Sequence, residues 1–242
     1  MSADELCRQH YQRLAERFLD QGIDPAEIAK SQTFMVEDGP TCWVDPAACQ
    51  PTGAALGFPL PDPAFSALLF QTARSLAEEL APLLEPGMPH FAYVPAAGYH
   101  VTLVNYSHFD CTDSKESIVS FEPATFAAIR SYFRSHRHSR PSIRFKGLIL
   151  TPAGRLIVPG YGVNPDPFAI RAGLATLVPR FCTNLPRTLH IKLGHLLRNL
   201  NGPHQRECQR LLEQHGQAID RIITFAEIYT PFQILQGCFY DE

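Results

Sequence analysis

Two short segments of this chain pair an imidazole with a group able to hold a phosphate. They are His100-Val101-Thr102-Leu103 and His190-Ile191-Lys192-Leu193. On a β-strand, residues two apart share a face. His100 and Thr102 therefore point one way and Val101 and Leu103 the other; His190 and Lys192 likewise oppose Ile191 and Leu193. Breaking a phosphodiester requires a base to activate water or a hydroxyl and an acid to protonate the departing oxygen. Imidazole titrates near neutrality and can serve as either. A hydroxyl or ammonium beside it can hold the non-bridging oxygens, where charge accumulates. Two such motifs on opposite sides of one phosphorus would complete the chemistry without a metal.

The elements that must position these motifs follow from periodicity and punctuation. Leu6, Tyr11, Leu14 and Phe18 have helical spacing, so the chain opens with an amphipathic helix that Gly22 ends. Residues 33–36 and 41–44 read as short strands around Asp38-Gly39-Pro40. Residues 45–62 hold four prolines and two glycines and read as an irregular loop. Asp62-Pro63 should start a long helix, with Phe65, Leu68, Leu69, Leu76, Leu80 and Leu83 as its buried stripe. Strands are expected at 91–94 and 99–106, and a helix at 126–133. A hairpin of 143–150 with 155–158 should turn at Pro152-Ala153-Gly154. A helix from Asp166-Pro167, a strand at 188–193, a helix at 203–215 and two last strands at 222–229 and 234–240 complete the chain. Pro-Asp-Pro occurs at 61–63 and again at 165–167. Each copy starts a helix that leads to a histidine-bearing strand, which hints at an internal duplication.

Composition narrows the classes. The chain has 242 residues, 45% hydrophobic and 19% charged, which fits one large domain or two small lobes sharing a core. A net charge of −3 excludes a protein that coats a nucleic acid duplex. The acidic N-terminus does not read as a signal peptide, and no apolar run is long enough for a bilayer. The seven cysteines are scattered, with no C-x-x-C pair, as expected of reduced cytosolic thiols rather than a disulfide framework or zinc knuckle.

The two motifs and their order resemble the 2H phosphoesterase superfamily, which includes the bacterial 2′-5′ RNA ligase-like proteins and the cyclic phosphodiesterases. That family carries a His-x-Thr/Ser-x motif in each lobe of a pseudo-symmetric α/β fold. Tyr99 to Val104 is similar to the first motif and Leu189 to Gly194 to the second. Ile143 to Leu148 with Arg155 to Val158 is similar to the family's middle hairpin. Phe225 to Tyr229 with Phe239-Tyr240 is similar to its last strands. The sequence departs from the pattern at Lys192, where the family has Thr or Ser; lysine can still bind a phosphate oxygen as a point charge.

The resemblance implies a two-lobed α/β (α+β) fold, with antiparallel sheets around a central cleft and helices outside. It spans residues 60–240, with residues 1–30 as a helical extension of a single domain over 1–242. It implies a metal-independent phosphodiesterase acting on a nucleotide or RNA phosphodiester: a 2′,3′-cyclic phosphate, a 2′,5′-linkage or an RNA end. His100 and His190 would be the acid/base pair, Thr102 and Lys192 the phosphate ligands, and Tyr161 a cleft-lining residue. No cofactor or metal is expected, and the protein should be a cytoplasmic monomer with no membrane partner. The competing expectation is a nucleotide- or RNA-binding protein that keeps the cleft without turnover. The charge run Arg130, Arg134, His136, Arg137, His138 and Arg140 reads as a solvated helix end or as a rim meeting an RNA backbone. His195 falls on the opposite face from His190 if the strand stays regular, and is expected to be structural.

Overall fold

Cys7, Tyr11, Leu14 and Phe18 recur at i, i+4, i+7 and i+11, and this stripe seats helix α1, Ala3–Gln21. Cys7, Tyr11 and Phe18 are buried, whereas Leu6 is 39% exposed, so a cysteine rather than the leucine beside it begins the stripe. Gly22, at φ +72°, ends the helix in the left-handed region. Helix α2, Pro25–Gln32, follows at once and was not expected from the sequence. The Asp24 carboxylate caps it by accepting from the Ala26 amide at 2.9 Å. These elements belong to a computed structural model that describes residues 3–32, 35–38, 41–44, 54–87, 89–106, 128, 131–132, 135, 140–163, 167–177, 188–225, 230–231 and 238–239.

Helix α3, Pro63–Leu80, starts as Asp62-Pro63 demands: the Asp62 carboxylate accepts from the Phe65 amide at 2.9 Å. Its buried face holds Phe65, Leu69, Ala73, Leu76 and Leu80, whereas Leu68 points outward at 37% exposure. Two further helices are α4, Pro167–Leu177, and α5, Gln205–Gly216; of the helix expected at 126–133, the described residues 128 and 131–132 are helical and the rest lie outside the described residues. The second Pro-Asp-Pro lies outside the described residues except for Pro167.

The fold is α/β, with a large mixed sheet flanked by these helices. Strands β1, Met35–Asp38, and β2, Thr41–Val44, form the expected hairpin at one edge. Strand β2 lies parallel to β4, Phe91–Tyr93, the one parallel pair in an otherwise antiparallel arrangement among the described strands. The order continues from β4 to β9, Leu189–Leu196, then to β8, Arg155–Gly162, β6, Ser142–Lys146, and β10, Asp220–Thr224.

Strand β5, His100–Tyr106, shares an edge of β9 with β4, and its outer edge carries β3, Ala54–Pro59. This corrects the reading of 45–62 as wholly irregular. Proline and glycine mark an edge strand and its bulge as well as a loop: Pro59 ends β3, and the register with β5 shifts between Leu56 and Gly57. The middle hairpin also differs in detail. Gly147, at φ +74°, breaks its first arm into β6 and β7, Ile149–Leu150. Strand β7 then pairs with the start of β8, while β6 pairs with its end. Beyond β10, the described parts of the closing segment are β11, Thr230–Pro231, and β12, Cys238–Phe239, which pair with each other.

Strand β8 separates two packing regions. Leu156 and Val158 enter the main core with Leu69, Leu76, Ile143, Phe145, Ile191, Leu193 and Leu212. Ile157, between them, packs on Cys7 and Tyr11 of α1. The N-terminal helix is thus seated on the sheet beside β8 and β9. Cys7, Cys42 and Cys208 are buried free thiols. Among the described residues, no helix is long and apolar enough to cross a membrane.

Candidate functional site

Strands β5 and β9 meet at one residue pair, Val101 opposite Ile191. Both side chains are fully buried. Their chain neighbours therefore turn to the other face, where antiparallel register sets His100 opposite Lys192 and Thr102 opposite His190. Each imidazole faces the candidate phosphate ligand of the other motif, and the four side chains share one face. Diagonal neighbours of this kind lie roughly 7–8 Å apart between strands, a span that one phosphate bonded to both rings can fill. All four are half-buried.

Local structure orients each ring. Pro95-Ala96-Ala97-Gly98 closes a short turn, with the Gly98 amide donating to the Pro95 carbonyl at 2.8 Å. That turn presents the Gly98 carbonyl to His100, whose Nδ1 donates to it at 2.8 Å. A carbonyl only accepts, so Nδ1 carries the proton and Nε2 is left for the site. On the other strand, Nδ1 of His190 lies 3.2 Å from the Thr188 hydroxyl. Thr188 had no place among the sequence candidates, although it sits two residues before His190 and so shares its face. Gly57 of β3 was missed as well. A Cβ there would lie 2.8 Å from the Val101 carbonyl and 3.4 Å from Cδ2 of His100, so glycine leaves the first ring its space.

Burial pushes the His190 pKa down to about 4, with Lys192 the next cause and His100, Arg155 and Arg171 adding to it. The pKa of His100 is also lowered, by burial first; its bond to the Gly98 carbonyl opposes the shift and Lys192 adds to it. Lys192 acts on both rings because it follows His190 by two residues on one strand and faces His100 across the pair. The two imidazoles differ because a carbonyl hydrogen bond opposes the shift at His100, whereas Arg155 and Arg171 add to it at His190.

In sequence, the chain matches no family model and no curated protein. Several solved structures are similar to it at low identity. TT0787 of Thermus thermophilus shares 14% identity, with 74% of this chain and 83% of that one covered at a TM-score of 0.44. The conserved protein ATU0111 of Agrobacterium tumefaciens shares 14%, covering 74% and 78% at 0.46. Kluyveromyces marxianus Usb1, in a structure with uridine monophosphate, shares 13%, covering 77% and 95% at 0.41.

A cleft of about 680 Å³ opens beside His190. His10, Leu14 and Arg17 line it from α1, Arg155 and Ile157 from β8, and Thr188 from the segment before β9. The N-terminal helix therefore walls this cleft, whose lining includes His190 but not His100, Thr102 or Lys192. Tyr161 lies on the same face but packs elsewhere: its ring meets Tyr11 edge-on at 5.7 Å, and the Arg8 guanidinium sits 4.8 Å from its centre.

His195 requires a correction. Leu156 pairs with Gly194 and Ile157 with Lys192, so Leu193 is an extra residue on β9. This bulge resets the alternation and sets His195 opposite Arg155, on the face of Lys192 and His190. The ring is buried there under α2, with Nδ1 3.3 Å from the Ser31 hydroxyl. Of the basic run, Arg130, Arg134, His136, Arg137 and His138 lie outside the described residues, and Arg140 is exposed. Among the described residues, no three His, Cys, Asp or Glu side chains gather as a metal-binding group.

Proposed function

We propose that this protein is a 2H-type phosphoesterase that hydrolyses a nucleotide or RNA phosphodiester by proton transfer between two histidines. The observation that carries the reading is the pairing of Val101 with Ile191, which sets both His-x-Thr/Lys motifs on one face. His190, with its pKa near 4, rests neutral at neutral pH. Its Nδ1–H donates to Thr188 and its Nε2 takes a proton from water. The water oxygen attacks phosphorus, the bond to the departing ribose oxygen breaks, and Nε2–H of His100 protonates that oxygen. Thr102 and Lys192 hold the non-bridging oxygens as charge builds on them. The rest of the substrate extends into the cleft beneath α1.

Hydrolysis of 2′,3′-cyclic nucleotides, assayed with EDTA present, tests this. Turnover should survive chelation, and His100→Ala or His190→Ala should each lower kcat by roughly 10²–10⁴-fold. Full activity in either variant would remove the assignment. A second reading, a nucleotide-binding protein without turnover, draws support from the lowered pKa of His100, which leaves the acid short of its proton at neutral pH. Assay at pH 5–6 separates the two: the enzyme turns over there and the binder does not.

A further inference from the structure

The strands bearing the two motifs touch through one residue pair, which is little to hold a site that needs both rings at fixed separation. A buried cation reaches both of them just beyond that pair. Arg171, on α4, is 2% exposed. Its Nε donates to the Leu103 carbonyl of β5, and one terminal nitrogen donates at 3.1 Å both to the Thr102 carbonyl and to the Thr188 carbonyl at the head of β9. The Phe168 ring lies 5.1 Å from the guanidinium. Thr102 is the candidate phosphate ligand of one half-site. Thr188 bears the hydroxyl beside Nδ1 of His190, in the other. One planar group is therefore bonded to the main chain of both halves. Arginine suits this task because its donors form a rigid fork that keeps its charge at any working pH.

We propose that Arg171 is a positioning residue that sets the distance between the Thr102 and His190 half-sites, and this rests on the phosphoesterase reading above. Misplacing reacting groups by about 1 Å can cost roughly 10²-fold in rate. Lysine retains the charge but offers one compact donor centre, so it cannot span the three carbonyls in the same way.

The test is 2′,3′-cyclic nucleotide turnover by R171K, with thermal melting as the control for folding. A folded R171K should lose about 10²-fold in kcat, while KM changes by less than about threefold because the phosphate ligands remain. Wild-type kcat in a folded R171K overturns the proposal, since a residue serving the core alone would lower the melting temperature and spare kcat. If R171K does not stay folded, F168L, which removes the ring from the guanidinium, should still lower kcat; unchanged kcat there also overturns it. If the wild type cleaves no phosphodiester, the function above fails, and Arg171 is judged by amide NMR of R171K or, should that not fold, F168L. Resonances of 102–104 and 188–190 should then move together, and movement on one strand only would count against it.

Discussion

Lys192→Thr should move the pH–rate profile in a direction that the site's electrostatics dictate. The kcat/KM profile reports the free enzyme's base and acid. With His190 as base, its acidic limb lies near pH 4. With His100 as acid, the alkaline limb falls below the ordinary imidazole value of 6.5. The optimum should therefore be acidic. Lys192 and His190 are two residues apart on one strand, about 7 Å. Across effective dielectrics of about 20 to 80, unit charges at that distance interact by about 0.6–2.4 kcal/mol, or on the order of one pH unit. Removing the cation should therefore raise the acidic limb from about 4 to roughly 5. It should raise the alkaline limb as well, because Lys192 also acts on His100. Burial, the larger cause for both rings, is untouched, so the acidic limb stays below the ordinary value. The assay is kcat/KM for a 2′,3′-cyclic nucleotide from pH 3.5 to 8 in constant-ionic-strength buffers, with NMR titration of the two rings alongside. An acidic limb that does not move would refute the placement of Lys192 beside His190. One that moves down would refute the assignment of His190 as base.

Three further perturbations test the frame around the site. Gly57→Ala forces a Cβ to within 2.8 Å of the Val101 carbonyl; it should cost about 1–3 kcal/mol in urea unfolding and lower kcat by displacing His100. Tyr11→Phe removes a hydroxyl that donates to the Leu189 carbonyl and accepts from the Gly160 amide at 3.3 Å; a loss of about 1–3 kcal/mol is expected, and wild-type stability would show that α1 is held by its apolar stripe alone. His195→Gln addresses pH and stability. The folded-state pKa of His195 lies well below its unfolded value, so the unfolded chain binds the proton first as pH falls. The stability this residue contributes is full above about pH 6.5 and is lost as pH drops below that. The variant should therefore show a shallower fall of Tm between pH 6.5 and 4, and an unchanged slope would mean that His195 is not the titrating group.

Most of the frame was legible because periodicity reports burial. The 3.6-residue stripe of α3 apart from Leu68, its Asp62-Pro63 start and the alternation of the histidine strands over 100–103 and 189–192 all rest on local rules, and they hold. What escaped the sequence depends on partners distant in the chain. Residues 54–59 read as loop because glycine and proline lower strand propensity, yet pairing with β5 makes an edge strand of them. Leu6 lost its place to Cys7 because the sheet beneath α1 presents Ile157 at that phase. Arg171 looked like any polar residue in a helix, and only the tertiary fold sets it against three carbonyls.

His195 shows how narrowly a strand rule can fail. Period-two alternation from His190 sends residue 195 to the far face, and one residue without a partner on β8, Leu193, brings it back. The bulge has a consequence for the site itself. It aligns Arg155 with His195 and leaves Lys192 opposite Ile157, so Lys192 stands between His190 on one side and the Arg155–His195 pair on the other. A protonated His195 would add a third cation along this face. Burial under α2 keeps its ring neutral instead. The cations that act on the neutral His190 ring are Lys192, Arg155 and Arg171. On the proposed mechanism, this arrangement would draw in a phosphate while keeping His190 unprotonated, the two conditions that a base beside an anion requires.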